Sequence, residues 1–242
     1  MSSNVLLELN EVHTHIGAYH ILHGVNLQIP RGELTLLLGR NGAGKTTTLR
    51  TIMGLWQASQ GTVNFNGHDI THMTTPDIAS LNIAYVPENM GIFSDLTVEE
   101  NMLLAARKAS RAQQMDADRL AWIYAMFPAV EKFWHHPAGK LSGGQKQMLA
   151  VARAMVEPRD LLIVDEPSKG LAPAIVQNMI DAFQKMKASG VSILLVEQNI
   201  HFAQQLGDSV AVMDNGRVIH AGSMAALSAD PALQQSLLGL AL

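Results

Sequence analysis

Three short stretches carry residues whose types and spacing could do chemistry. Residues 39–46 read GRNGAGKT, in which glycines free backbone N–H groups to curl around phosphate oxygens. There Lys45 would reach the outer phosphates of a nucleotide and the Thr46 hydroxyl would hold Mg²⁺, with Gly39, Asn41, Gly42, Gly44 and Thr47 completing the candidate binding set. Residues 161–166, LLIVDE, close an apolar run with two carboxylates. Asp165 could hold the same Mg²⁺, directly or through water, and Glu166 could orient or deprotonate a water attacking the terminal phosphate. A kinase that excludes water needs no carboxylate there to orient one, so the pair favours hydrolysis. The third stretch, LSGGQ at 141–145, reads in two ways. Either Ser142 caps a helix whose first N–H groups stay open to an anion, or Gly143 and Gly144 only permit close packing.

These residues need particular elements to hold them. The uninterrupted apolar run 34–38 (LTLLL) reads as a strand buried on both faces, followed after the glycine loop by a helix from Thr46 to about Gly54. Short apolar alternations at 5–9, 25–29, 61–67 and 82–86 predict further strands. Between 88 and 145 the pattern turns helical: Thr97 with Glu100 is a capping box ahead of MLLAARKA, and Asp116 opens DADRLAWIYAMF. Strands at 161–165 and 191–196 follow, separated by a helix over 173–189 that Gly190 closes. A hairpin at Asn215-Gly216 and a C-terminal helical stretch complete the chain. Alternating strands and helices imply a largely parallel α/β sheet that binds ligands at its strand C-termini.

The whole fits one α/β domain of 242 residues, read as 1–87, 88–145 and 146–242. Lys and Arg number 17 against 21 Asp and Glu, a net charge of −4 that argues against a nucleic-acid partner. Cysteine is absent, which excludes disulfides and thiolate metal sites. No apolar run reaches about 18 residues, and MSSNVLLELN lacks a basic leader with a long apolar core, so a cytoplasmic protein is expected. His135-His136 reads as a solvated pair rather than a metal site, and the 13 methionines as core.

Taken together, GRNGAGKT, LSGGQ and LLIVDE, in that order, resemble the Walker A, signature and Walker B motifs of ABC transporter ATP-binding subunits, over nearly the whole chain. The resemblance implies a P-loop NTPase core, an N-terminal antiparallel β subdomain and a helical insertion. It implies Mg²⁺-dependent ATP hydrolysis by two subunits paired head to tail, with Ser142, Gly143, Gly144 and Gln145 of one closing over ATP held by the other. Four positions depart from the commonest family pattern. Glu88 stands for the usual Gln, Gln198 for the switch His, Ala172 for the usual Asp, and Ile16 for the adenine-stacking aromatic, with Tyr19 three residues on. Gln198 can bond a terminal phosphate without taking a charge, and Glu88 can serve as a metal-side ligand. VPE, GLAP and VEQN resemble the branched-chain amino-acid importer branch. Implied partners are a sibling or identical ATPase, integral membrane permeases and, indirectly, a substrate-binding protein, placing the chain peripherally on the cytoplasmic membrane face. Residues 89–101 would touch the permease, with Ile92, Phe93 and Leu96 either buried or a docking patch. The alternatives are a soluble ABC ATPase or a low-turnover regulator uncoupled from transport.

Overall fold

The computed structural model describes residues 4–106 and 115–239. In chain order it runs β1 (Val5–Ile16), β2 (Tyr19–Pro30), β3 (Leu34–Gly39), α1 (Lys45–Ile52), β4 (Ala58–Phe65), β5 (His68–Asp69), α2 (Thr75–Ser80) and β6 (Ile83–Val86). The helical region holds α3 (Val98–Ala105), α4 (Ala117–Met126), α5 (Pro128–Lys132) and α6 (Gly143–Ala154). The last part holds β7 (Leu161–Asp165), α7 (Pro173–Ala188), β8 (Ser192–Glu197), α8 (Ile200–Gln204), β9 (Ser209–Asp214), β10 (Arg217–Ser223), α9 (Met224–Ala229) and α10 (Pro231–Leu238).

Two sheets form. The antiparallel one has the order β2-β1-β4-β5, and the second has the order β10-β9-β3-β8-β7-β6, parallel except for β10. Strands β3, β7 and β8 are buried along their whole length, as their unbroken apolar runs require of strands covered on both faces. Alternation then divides each strand between two cores. Leu34, Leu36 and Leu38 face the helical region and α7, while Leu37 faces α1 and the antiparallel sheet. Ile193 and Leu195 follow the first group, Leu194 and Val196 the second. Burying each such side chain contributes about 1.5–3 kcal/mol relative to exposure.

The first two strands are far longer than the expected 5–9 and 25–29. Their polar middles, rich in His, Thr and Asn, break the alternation, and register shifts interrupt the pairing. Glu11 sits at φ 46° in one such irregularity, and Gly61 of β4 approaches so closely that a Cβ would lie 2.2 Å from the Glu11 carbonyl oxygen. The expected strand at 61–67 instead spans Ala58–Phe65 and turns at Asn66-Gly67. Elsewhere the expected elements form within a residue or two. Thr97 and Glu100 make the capping box, and Asp116 accepts from the Arg119 N–H. Helix α3 ends at Ala105, and residues 107–109 of the MLLAARKA stretch lie outside the described residues.

Candidate active site

The order β3-β8-β7 decides which residues meet. Because these strands run parallel, Gly39, Glu197 and Asp165 all stand at the same edge of the sheet. The loop after β3 bends through positive φ at Gly39 (149°), Gly42 (82°) and Gly44 (105°). At Gly39 a Cβ would lie 2.3 Å from the Met213 carbonyl oxygen, so that strand end admits no side chain. Lys45 opens α1 and is 5% exposed; its Nζ donates to the carbonyls of Gly39 (2.8 Å) and Arg40 (3.1 Å). Burial pushes the Lys45 ammonium below its ordinary pKa, opposed by Glu166, Asp165, Glu197 and Glu88.

Asp165 ends β7 completely buried, with both carboxylate oxygens shut from solvent and without a hydrogen-bond partner. Burial raises its pKa. The Thr46 hydroxyl, beside it without a well-formed bond, and Lys45 oppose the rise, while Glu166 and Glu88 add to it. An orphaned buried carboxylate next to a hydroxyl is a donor set of the kind a hard divalent cation takes. Among the described residues no group of three His, Asp or Glu side chains could hold a metal by itself. His135 pairs with Glu99 at 3.0 Å and is 80% exposed.

Glu166 leaves the strand at φ 49°, its N–H donating to the Val196 carbonyl at 2.9 Å. Its Oε1 lies 3.8 Å from Lys45 Nζ and accepts a short hydrogen bond from the Gln198 amide. The same amide donates to Asn41 Oδ1 at 2.7 Å, so Gln198 ties the phosphate loop to Glu166. A cavity of about 370 Å³ opens here, lined by Gly39, Arg40, Asn41, Glu197, Gln198 and Leu238.

Three residues of this site escaped the motif reading. Glu197, buried at the end of β8, accepts the backbone N–H groups of Ser168 (2.9 Å), Gln198 (3.1 Å) and Asn199 (3.2 Å), fixing the loops on both sides. Its signal was present: SILLVE closes an apolar strand with a carboxylate just as LLIVDE does. Ser168 joins it through that N–H. Lys169 lies 2.5 Å from Glu88 and 3.4 Å from the second oxygen of Glu166. Nothing local marked it.

Around LSGGQ each glycine follows a different one of the two readings. A Cβ on Gly144 would meet Ile175 of α7 at 2.8 Å, whereas one on Gly143 would meet nothing within 4 Å. Gly144 therefore permits packing, and Gly143 leaves the exposed helix start clear. Ser142 and Gln145 close a reciprocal capping box there. At the β1–β2 tip Tyr19 is 75% exposed and pairs with Ile16, beside the stacked rings of His15 and His20 (4.2 Å between centroids). Phe93 is half exposed and lies under the Arg153 guanidinium, whereas Ile92 packs partly into the core. Ala172 caps α7 without a side-chain bond.

The glycine loop between a parallel strand and helix, with acidic tips on the neighbouring strands, defines the P-loop NTPase fold. Residues 22–169 match the family model described as ABC transporter, and the chain belongs to that family. It is 36% identical over 235 residues to the high-affinity branched-chain amino acid transport ATP-binding protein BraG of Pseudomonas aeruginosa, covering 97% of this chain and 100% of that one. The probable branched-chain amino acid transport ATP-binding protein LivF of Archaeoglobus fulgidus is 37% identical over 84% of this chain and 86% of its own. Among solved structures, cbiO1 from Clostridium perfringens, part of the ABC transporter complex cbiONQ, superposes with a TM-score of 0.82 at 27% identity, covering 96% of this chain and 94% of that one.

Proposed function

We propose that this chain is the ATP-binding and hydrolysing subunit that energises an ABC importer for branched-chain or related small polar amino acids. The observation that carries the ATPase reading is the convergence of Lys45, Asp165, Glu166 and Gln198 at one sheet edge. The cargo class follows the names of the relatives.

In this reading the loop N–H groups and Lys45 hold the phosphates, with Gly39, Asn41, Gly42, Gly44 and Thr47 shaping the cradle. Thr46 and Asp165 would hold Mg²⁺, which would supply neutralisation of phosphate charge; Glu88, expected as a metal-side ligand, is taken instead by Lys169 at 2.5 Å. Glu166 takes a proton from water as the water oxygen bonds the terminal phosphorus and the bridging oxygen leaves with ADP. Gln198 holds Glu166 and the loop in register and can donate to the terminal phosphate. Tyr19 is the candidate adenine contact at the hairpin tip. Ser142, Gly143, Gly144 and Gln145 of a second subunit, sibling or copy, complete each site.

Among the described residues no helix is long and apolar enough to cross a membrane, so separate permeases would carry the cargo, with a binding protein delivering it. The chain would sit on the cytoplasmic face. A cavity of about 770 Å³ is lined by Tyr85, Pro87, Met90, Ala105 and Arg153, whose guanidinium lies over the Phe93 ring, and would offer the permease a seat.

The first test is Mg-ATP hydrolysis by the purified chain and its Glu166→Gln variant. Loss of the general base should lower kcat by about 100-fold or more. Equal, near-zero rates with all partners present would leave the low-turnover regulator as the function.

A further inference from the structure

Glu88 introduces a negative charge where the commonest family pattern has an amide, beside a site that must accept polyphosphate. Four carboxylates (Glu88, Asp165, Glu166 and Glu197) act on Lys45. Such a concentration of charge disfavours an anionic ligand and pushes Glu88 and Glu166 apart unless something answers it. Glu197 is answered by backbone N–H groups and Glu166 in part by Lys45. Glu88 is answered by Lys169.

The local chain explains how Lys169 reaches both acids. After β7 the backbone turns back on itself, the Lys169 N–H donating to the Glu166 carbonyl at 3.2 Å, and Gly170 continues the turn at φ 70°. This i, i+3 spacing brings Lys169 Nζ back to Glu166 Oε2 (3.4 Å). Strand β6 runs parallel beside β7, so Glu88, two residues past its end, meets the same ammonium at 2.5 Å. Glu166 is thereby held from both sides: Gln198 and Lys45 on one oxygen, Lys169 on the other.

Resting on the ATPase reading above, we propose that Lys169 is a positioning residue for Glu166, and that it is what makes an acidic residue at position 88 compatible with turnover. Lys169 cancels the Glu88 charge next to the phosphate site and fixes the second oxygen of Glu166. Its link also joins Glu166 to the segment after β6, whose Gly91 carbonyl accepts from Arg153 of α6 at 2.6 Å. Lys169 is 58% exposed, and exposed ion pairs add little to stability. Its effect belongs in the rate.

The test is steady-state Mg-ATP hydrolysis by the purified full chain, its Lys169→Met and Lys169→Arg variants, and the Glu88→Gln/Lys169→Met double variant. Lys169→Met should lower kcat by about 10-fold or more while KM for ATP moves by less than about 3-fold, and Lys169→Arg should keep most of the rate. In the double variant the offending charge is gone with its partner while Glu166 still lacks its second contact, so kcat should recover only in part, exceeding that of Lys169→Met by about 3-fold or more. A general structural defect would not be repaired by a second substitution. A double variant no faster than Lys169→Met, or a Lys169→Met variant with unchanged kcat, overturns the inference while a hydrolysing wild type leaves the ATPase reading standing. A wild type that hydrolyses nothing overturns both.

Discussion

Single residues in this molecule are held by opposed effects whose balance can be measured. Glu197 is the clearest: burial raises its pKa against the pull of three backbone N–H donors. An acid whose folded pKa is raised contributes stability below its unfolded value near 4.5, and that contribution is lost as pH climbs through the folded value. The unfolding free energy of wild type should therefore fall more steeply above pH 4.5 than that of Glu197→Gln, read from urea midpoints at several pH values. The glycine pair of LSGGQ offers a second contrast at this scale. Gly144→Ala must displace Ile175 and should lose about 1–3 kcal/mol, while Gly143→Ala, facing open space, should melt like wild type. If both variants lose stability equally, the two glycines do not divide their roles as described.

At the scale of elements, capping sets the frame. Ser142 and Gln145 satisfy each other's backbone at the start of α6, and Ser142→Ala should cost about 1 kcal/mol in chemical denaturation. Such features were legible because they are local: a capping box, a glycine loop or an apolar run ending in two acids is complete within a few residues. The strands β3, β7 and β8, the helix α7 and the Asn215-Gly216 turn were readable for the same reason. What the sequence concealed depends on distance or on departure from a period. The long β1–β2 hairpin hides behind His-, Thr- and Asn-rich stretches whose bulges interrupt alternation. Lys169 acquires its role only when β6 and β7 pair, since Glu88 lies 81 residues away. Glu197, one residue past the expected strand 191–196, gains its place only because β8 lies between the loop strand and the Asp165 strand.

For the whole molecule, the proposed function makes pairing conditional on nucleotide. A chain that holds Mg-ATP without consuming it should accumulate as a pair. Glu166→Gln with Mg-ATP is therefore expected to sediment as a dimer, with its sibling if one is required, and as a monomer with ADP. A monomer under both conditions, with every sibling candidate present, would remove the second subunit from the site.

The double-sided sheet has a further consequence. Each of β3, β7 and β8 sends alternate side chains into both cores, so neither core can loosen without stripping one face from the same three strands. Cooperativity is built into the side-chain parity. Amide protons of Leu36, Ile163 and Leu194 should exchange with solvent only through global opening, their protection matching the full unfolding free energy, whereas the β1–β2 tip should exchange through small local fluctuations.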